Sequence, residues 1–194
     1  MIKGSTIRRA DWPVDPLFVD RWSPRSMSGE PITREQLMPL LEAARWAPSS
    51  GNFQPWRMLY ALRDTPHWDT FFALVNEGNR VWGRQAGAIV LFISMMEREP
   101  GKPSVTHSYD TGAAWQNFAL QAFRNDLAAH GIQGFDYARA RVVLKIPDLY
   151  RLEAMALVGH PAEKSTLPEN LQLRERPSDR RPLAQTACEG LFSL

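Results

Sequence analysis

Two short stretches carry most of the groups in this chain that can do chemistry. The first is Arg21-Trp22-Ser23-Pro24-Arg25-Ser26. Pro24 biases Ser23 toward extended backbone, and in extended chain alternate side chains share a face, so Arg21, Ser23 and Arg25 can point the same way. Two guanidinium groups and a hydroxyl on one face make a grip for a phosphate, because the planar fork of arginine donates paired hydrogen bonds to anionic oxygens. Taken alone, the segment also reads as a solvated basic turn, which is the commoner case. The second stretch is Ala47 to Trp56, APSSGNFQPW, where Pro48, Ser49, Ser50, Asn52 and Gln54 follow directly on an apolar helical pattern. It is a donor-rich turn. Pro48 and Pro55 bias Ala47 and Gln54 away from the helical region, so the segment is expected to leave a helix, cross in extended form and feed a strand. An ordinary helix-to-strand connection has the same composition.

Other chemistries lack their residues. The four histidines, His67, His107, His130 and His160, have no i, i+4 partner of the helical metal-site kind. Cys188 is the single cysteine, so neither an internal disulfide nor a zinc cluster can form, which suits a reducing cytoplasm. No Walker loop or dinucleotide fingerprint occurs, and Ser49 and Ser50 lack the elbow of a serine hydrolase. Seven tryptophans could stack nucleic-acid bases, but a net charge of only +2 argues against a nucleic-acid partner, and the arginines are spread along the chain. The longest apolar run is far short of the roughly 20 residues that span a bilayer, and the first residues carry no signal-peptide core, so a cytoplasmic location is expected.

With 194 residues, 44% of them hydrophobic and 23% charged, one domain spanning residues 1–194 is expected, with an N-terminal arm over 1–18 and a C-terminal arm over 160–194. A capping box at Thr33 and Gln36 opens a helix running through Leu37, Leu40, Leu41 and Ala44, with Pro39 as its flaw. Arg57 to Leu62 reads as a strand, and Thr65-Pro66 as the start of a helix that Gly78 stops. The unbroken run Ala88 to Ser94 reads as a strand covered on both faces, at the centre of the sheet. A proline-bearing loop over Glu97 to Val105 leads to the longest helix, from about Ser108 to His130. Its small residues Gly112, Ala114, Ala119 and Ala122 suit a core helix that can also meet a symmetry mate. Ile132 to Asp136 reads as a turn, Asp136 as the cap of a short helix to Leu144, and Glu153 to Gly159 as the last strand.

In this order, RWSPRS at Arg21, APSSGNFQPW at Ala47, Asn79 with Trp82 before AGAIVLFIS, GAAWQNFALQA at Gly112, GIQGF at Gly131, LVGHP at Leu157 and RRPL at Arg180 resemble the FMN-dependent nitroreductases. The resemblance implies an α+β fold with a mainly antiparallel central sheet flanked by helices. It implies a homodimer with the long helix at the interface, the C-terminal arm wrapped on the partner and two FMN sites between subunits. By similarity, Arg21, Ser23 and Arg25 hold the phosphate and the pyrimidine side of the ring, and Arg180 joins the phosphate. Pro48, Ser49, Ser50 and Asn52, with Gln54 of the same loop, reach the cofactor from the other subunit. Asn79 bonds the ring or ribityl chain, and the amides at Gln133 and Gly134 face flavin N5.

A flavin carries the redox step itself, so the protein needs a fixed ring, a donor at N5 and positive charge near N1, and no acid–base pair. Arg25 is the candidate for that charge, and Arg25→Ala is expected to lower the flavin potential. The implied activity is ping-pong hydride transfer from NADH or NADPH to an electron-poor acceptor such as a nitroaromatic or quinone. A narrower superfamily activity (reductive dehalogenase, enone reductase or flavin-fragmenting enzyme) and flavin binding without turnover are the alternatives. Trp22 and Ser178 stand where the family often has basic residues, so the phosphate grip is expected to be lighter, or Arg181 to substitute.

Overall fold

The run Ala88 to Ser94 does form a strand, and its alternation separates two cores. In this computed structural model, which describes residues 2–193, β2 (Ala88–Met95) sends Ile89, Leu91 and Ile93 to one face and Ala88, Val90 and Phe92 to the other. Met1 and Leu194, the outermost residues of the two expected arms, lie outside the described residues. β2 pairs antiparallel with β1 (Trp56–Leu62) on one side and β6 (Tyr150–Gly159) on the other. β5 (Ala128–Ile132) closes the far edge, giving the order β1-β2-β6-β5 with every pairing antiparallel. On the Val90 face lie α2 (Arg34–Arg45), through Leu37, Leu40 and Ala44, and α5 (His107–Arg124), through Ala114, Phe118 and Ala122. On the Leu91 face lie α3 (Trp68–Phe72), α4 (Glu77–Gly83) and α6 (Tyr137–Val143), through Phe71, Trp82 and Ala140.

The caps show why several elements begin where the sequence places them. Thr33 and Gln36 make the reciprocal capping box, and Ile32 and Leu37 are buried together as its staple. Pro39 sits inside α2 without ending it, because the carbonyl that loses a donor belongs to exposed Glu35. Asp136 accepts from the Arg139 amide and opens α6. In the N-terminal arm, Asp15 caps α1 (Pro16–Asp20), with Pro16 at its first position.

Four expectations are corrected. Thr65 does not cap α3; its hydroxyl donates to Leu62 O, and the helix begins at Trp68. Gly78 is not a stop but lies inside α4. The loop over Glu97 to Val105 contains a hairpin, β3 (Glu97–Glu99) with β4 (Lys102–Pro103). The long helix ends at Arg124, short of His130. There the Leu127 amide donates to Ala122 O at 2.9 Å and the Asp126 amide to Phe123 O at 3.2 Å, a Schellman closure with Asp126 left-handed at φ 55°. The chain then returns as β5, over residues expected to finish the helix. The C-terminal arm, which carries α7 (Glu169–Gln172), lies on its own chain: Arg8 donates to Ser178 O and the Leu183 amide to Asp11.

Candidate functional site

Arg21, Ser23 and Arg25 line one pocket of ≈ 320 Å³, as their alternation requires, and six residues from other parts of the chain join them: Arg8, His130, Arg174, Arg176, Ser178 and Arg180. Six of the lining residues are arginines and none is a carboxylate. Arg21 donates to Ser23 Oγ at 3.2 Å. Its pKa is lowered by burial and by the charges of Arg8 and Arg180, so the cations crowd one another. Such a cluster is built for a multiply charged anion. Arg8 is buried and structural, donating to Ser178 O, Val19 O and Arg21 O, and so ties both arms to the Arg21 turn. Arg180 lines the pocket, whereas Arg181 lines the neighbouring groove between the arms. Trp22 points inward, its indole donating to Ile2 O. Arg174 and Arg176 add charge to the pocket where Trp22 and Ser178 carry none.

His130 stands at the inner wall on β5. Its ring lies 4.7 Å from that of Trp82, and Nδ1 donates to Pro24 O at 3.2 Å. Burial, reinforced by the charges of Arg25 and Arg21, pushes its pKa down to about 4, so the ring is neutral at physiological pH. Three residues further along this edge of the sheet come Gln133 and Gly134. Among the described residues, their amides donate to no backbone oxygen outside the strand ladders. Asn79, on α4, donates its side-chain amide to Gly134 O at 3.3 Å. A Cβ at position 134 would meet Asn79 Nδ2 at 2.5 Å, which is why glycine suits this approach.

The APSSGNFQPW loop lies elsewhere. The Arg21 turn is pinned beside the Gly159 end of β6, where the Ser28 amide donates to His160 O. The loop enters β1 at Trp56, opposite Ser94 at the other end of β2. Six strand residues, roughly 20 Å, separate the two. Instead of crossing in extended form, the loop turns through Ser50–Asn52, with Gly51, Asn52 and Gln54 all left-handed. Proline at 55 disfavours the right-handed helical region at Gln54, and the chain takes the left-handed one. Ser49 Oγ accepts from the Gln54 amide, the Ser50 amide donates to buried Asp110, and Arg98 donates to Ser50 O. Pro48, Ser50, Asn52 and Gln54 are exposed and none lines the arginine pocket; Gln54 borders a separate groove with Met38, Trp56 and Met58.

The nitroreductase family model matches residues 19–160. The chain belongs to the nitroreductase family. An oxidoreductase described as containing FMN is 45% identical, with TM-score 0.92 and 96% of each chain covered. A nitroreductase from Desulfovibrio desulfuricans, solved in complex with FMN, is 30% identical with TM-score 0.72, over 95% of this chain and 100% of that one. A Streptomyces coelicolor protein carrying the name NADH dehydrogenase/NAD(P)H nitroreductase is 25% identical over 166 residues, 75% of this chain and 82% of its own. For this nitroreductase-family chain, an oxidoreductase, the sequence motifs therefore sit in two groups. One is Arg21, Ser23, Arg25 and Arg180 with, along the same edge, Asn79, Gln133 and Gly134. The other is Pro48 to Gln54. Arg8, His130, Arg174 and Arg176 are the pocket residues that the sequence did not point to; the alternation of Arg174 and Arg176 was the one available signal. Among the described residues no group of three or more His, Cys, Asp or Glu is placed to hold a metal, and no helix is long and apolar enough to cross a membrane.

Proposed function

We propose that the chain is an FMN-dependent NAD(P)H oxidoreductase that works as a homodimer and reduces electron-poor acceptors such as nitroaromatics or quinones. The carrying observation is the arginine pocket without a carboxylate, placed about 10 Å along the sheet edge from the free amides at Gln133 and Gly134. That spacing fits a phosphate at one end and a ring at the other, joined by a ribityl chain. When bound, FMN supplies hydride transfer at N5, from NADH or NADPH and then to the acceptor in a ping-pong sequence.

The chain's own residues bind and orient. Arg21, Ser23 and Arg180, with Arg174 and Arg176, hold the phosphate; the Gln133 and Gly134 amides donate to the N5 edge; Asn79 bonds the ring or ribityl chain; Arg25 sets positive charge beside the pyrimidine. Two observations support the dimer. The Pro48 to Gln54 loop is roughly 20 Å from the pocket of its own chain, so it serves a flavin only across an interface. On α5, exposed Gly112 and Gln116 with partly covered Leu120 and Phe123 form an open stripe for a second copy, whereas Ala114, Ala119 and Ala122 of the small stripe are buried in their own core.

The first test is the visible spectrum of the purified protein, followed by anaerobic addition of NADPH and, separately, NADH. Flavin bands that bleach on addition support the oxidoreductase and rank the two donors. A colourless protein that takes up no added FMN overturns the assignment. Bound flavin that neither donor reduces leaves a binding protein without turnover.

A further inference from the structure

Glu175 is one of the few charged side chains the fold buries, and it sits between two arginines that face the pocket. Its Oε1 accepts three hydrogen bonds: from the Arg25 amide at 2.7 Å, the Ser26 amide at 2.9 Å and Ser26 Oγ at 2.9 Å. Oε2 has no hydrogen-bond partner and lies 3.9 Å from Arg25 Nη1. That distance is too long for a hydrogen bond and short enough for an ion pair. A buried carboxylate is expensive unless its oxygens are compensated, and every group that compensates this one belongs to the Arg25-Ser26 corner.

We infer that Glu175 is a positioning residue for the flavin site: it latches the C-terminal arm to the Arg21–Ser26 turn, setting the backbone from which Arg25 projects and offsetting part of Arg25's charge. The inference rests on the proposed flavin reading. It makes the arm a component of the phosphate grip, so that Arg174 and Arg176 enter the pocket only when Glu175 is seated between them. Two effects of the side chain then separate by chemistry. A glutamine keeps an oxygen for the three donors but carries no charge, whereas an alanine removes both.

The test compares wild type, Glu175→Gln and Glu175→Ala as full chains. Glu175→Ala is expected to weaken FMN binding, read by flavin fluorescence quenching, by about tenfold or more. Glu175→Gln is expected to stay within about threefold of wild type. Its bound-flavin potential should shift upward, since the uncovered Arg25 charge stabilises the anionic reduced form, and the shift should vanish in the Arg25→Ala background. Alanine binding FMN as wild type does, or an unshifted potential in the glutamine variant, overturns the inference. If the alanine variant fails to fold, the glutamine potential decides alone. A wild type that takes up no FMN defeats the flavin reading instead. In that case limited trypsin digestion of the apoproteins still tests the latch: faster cleavage after Arg180, in the same arm but away from the substitution, in the alanine variant supports it, and equal cleavage overturns it.

Discussion

His130 shows what burial beside the arginine pocket does to a neighbouring ring. Its folded pKa of about 4 lies below the ordinary 6.5, so above pH 6.5 the ring is neutral in folded and unfolded chain alike and adds no pH dependence. Between 6.5 and 4 the unfolded chain takes a proton that the folded chain refuses, and stability falls with pH, by about 3 kcal/mol at most. Urea unfolding should therefore lose about 2 kcal/mol more in wild type than in His130→Gln between pH 7 and 5. Equal losses would remove His130 as the cause. The histidine's setting was not legible in the sequence. Arg21, Ser23 and Arg25 were, because their alternation lies within five residues and needs no tertiary knowledge. Arg8, Arg174, Glu175 and Arg176 reach the same place from chain segments up to about 150 residues away, and spacing carries no signal over that distance.

At the scale of elements, local capping succeeded at Thr33 and Asp136, where the capping side chain sits directly before the helix, and failed at Thr65. Helix termination failed as well. Asn125-Asp126 closes α5 with an aspartate in the left-handed conformation, which glycine usually occupies, and Gly131 was the more obvious stop. The five residues after Leu127, AAHGI, are a strand only because β6 supplies a partner. The same helix positions the loop proposed as the second half of the site. Asp110 is buried, and its Oδ2 accepts from the Ser50 amide at 3.2 Å and Thr106 Oγ1 at 3.1 Å, pinning the left-handed loop to the first turn of α5. Asp110→Ala leaves those donors unmatched and should cost about 1–3 kcal/mol of stability. It should also weaken FMN binding while the arginine pocket stays intact; Asp110→Asn, which keeps an acceptor, should recover most of both. Thermal denaturation and flavin titration of the two variants check this, and an alanine variant that binds FMN normally would detach the loop from the site.

On the proposed flavin reading, the whole molecule divides its site between opposite ends of one sheet. A variant lacking one half is then repaired by a variant lacking the other. Arg21→Ala and Asn52→Ala chains should each be poor flavin binders alone. Mixed after dissociation and reassociation, they form heterodimers in which one of two sites has both halves native. With random pairing, about a quarter of all sites should recover tight FMN binding. No recovery in a mixture shown to contain heterodimers would place both halves in one subunit.

The strand length between the Arg21 turn and the Ser50 loop has a further effect once the dimer is granted. Each subunit then grips two cofactors by different ends, and each cofactor is a rivet through two chains. Ligands that bind only the assembled state stabilise it by mass action. Flavin supply thereby governs how fast partners trade places: chains starved of the cofactor reshuffle freely, and chains loaded with it keep the partner they have.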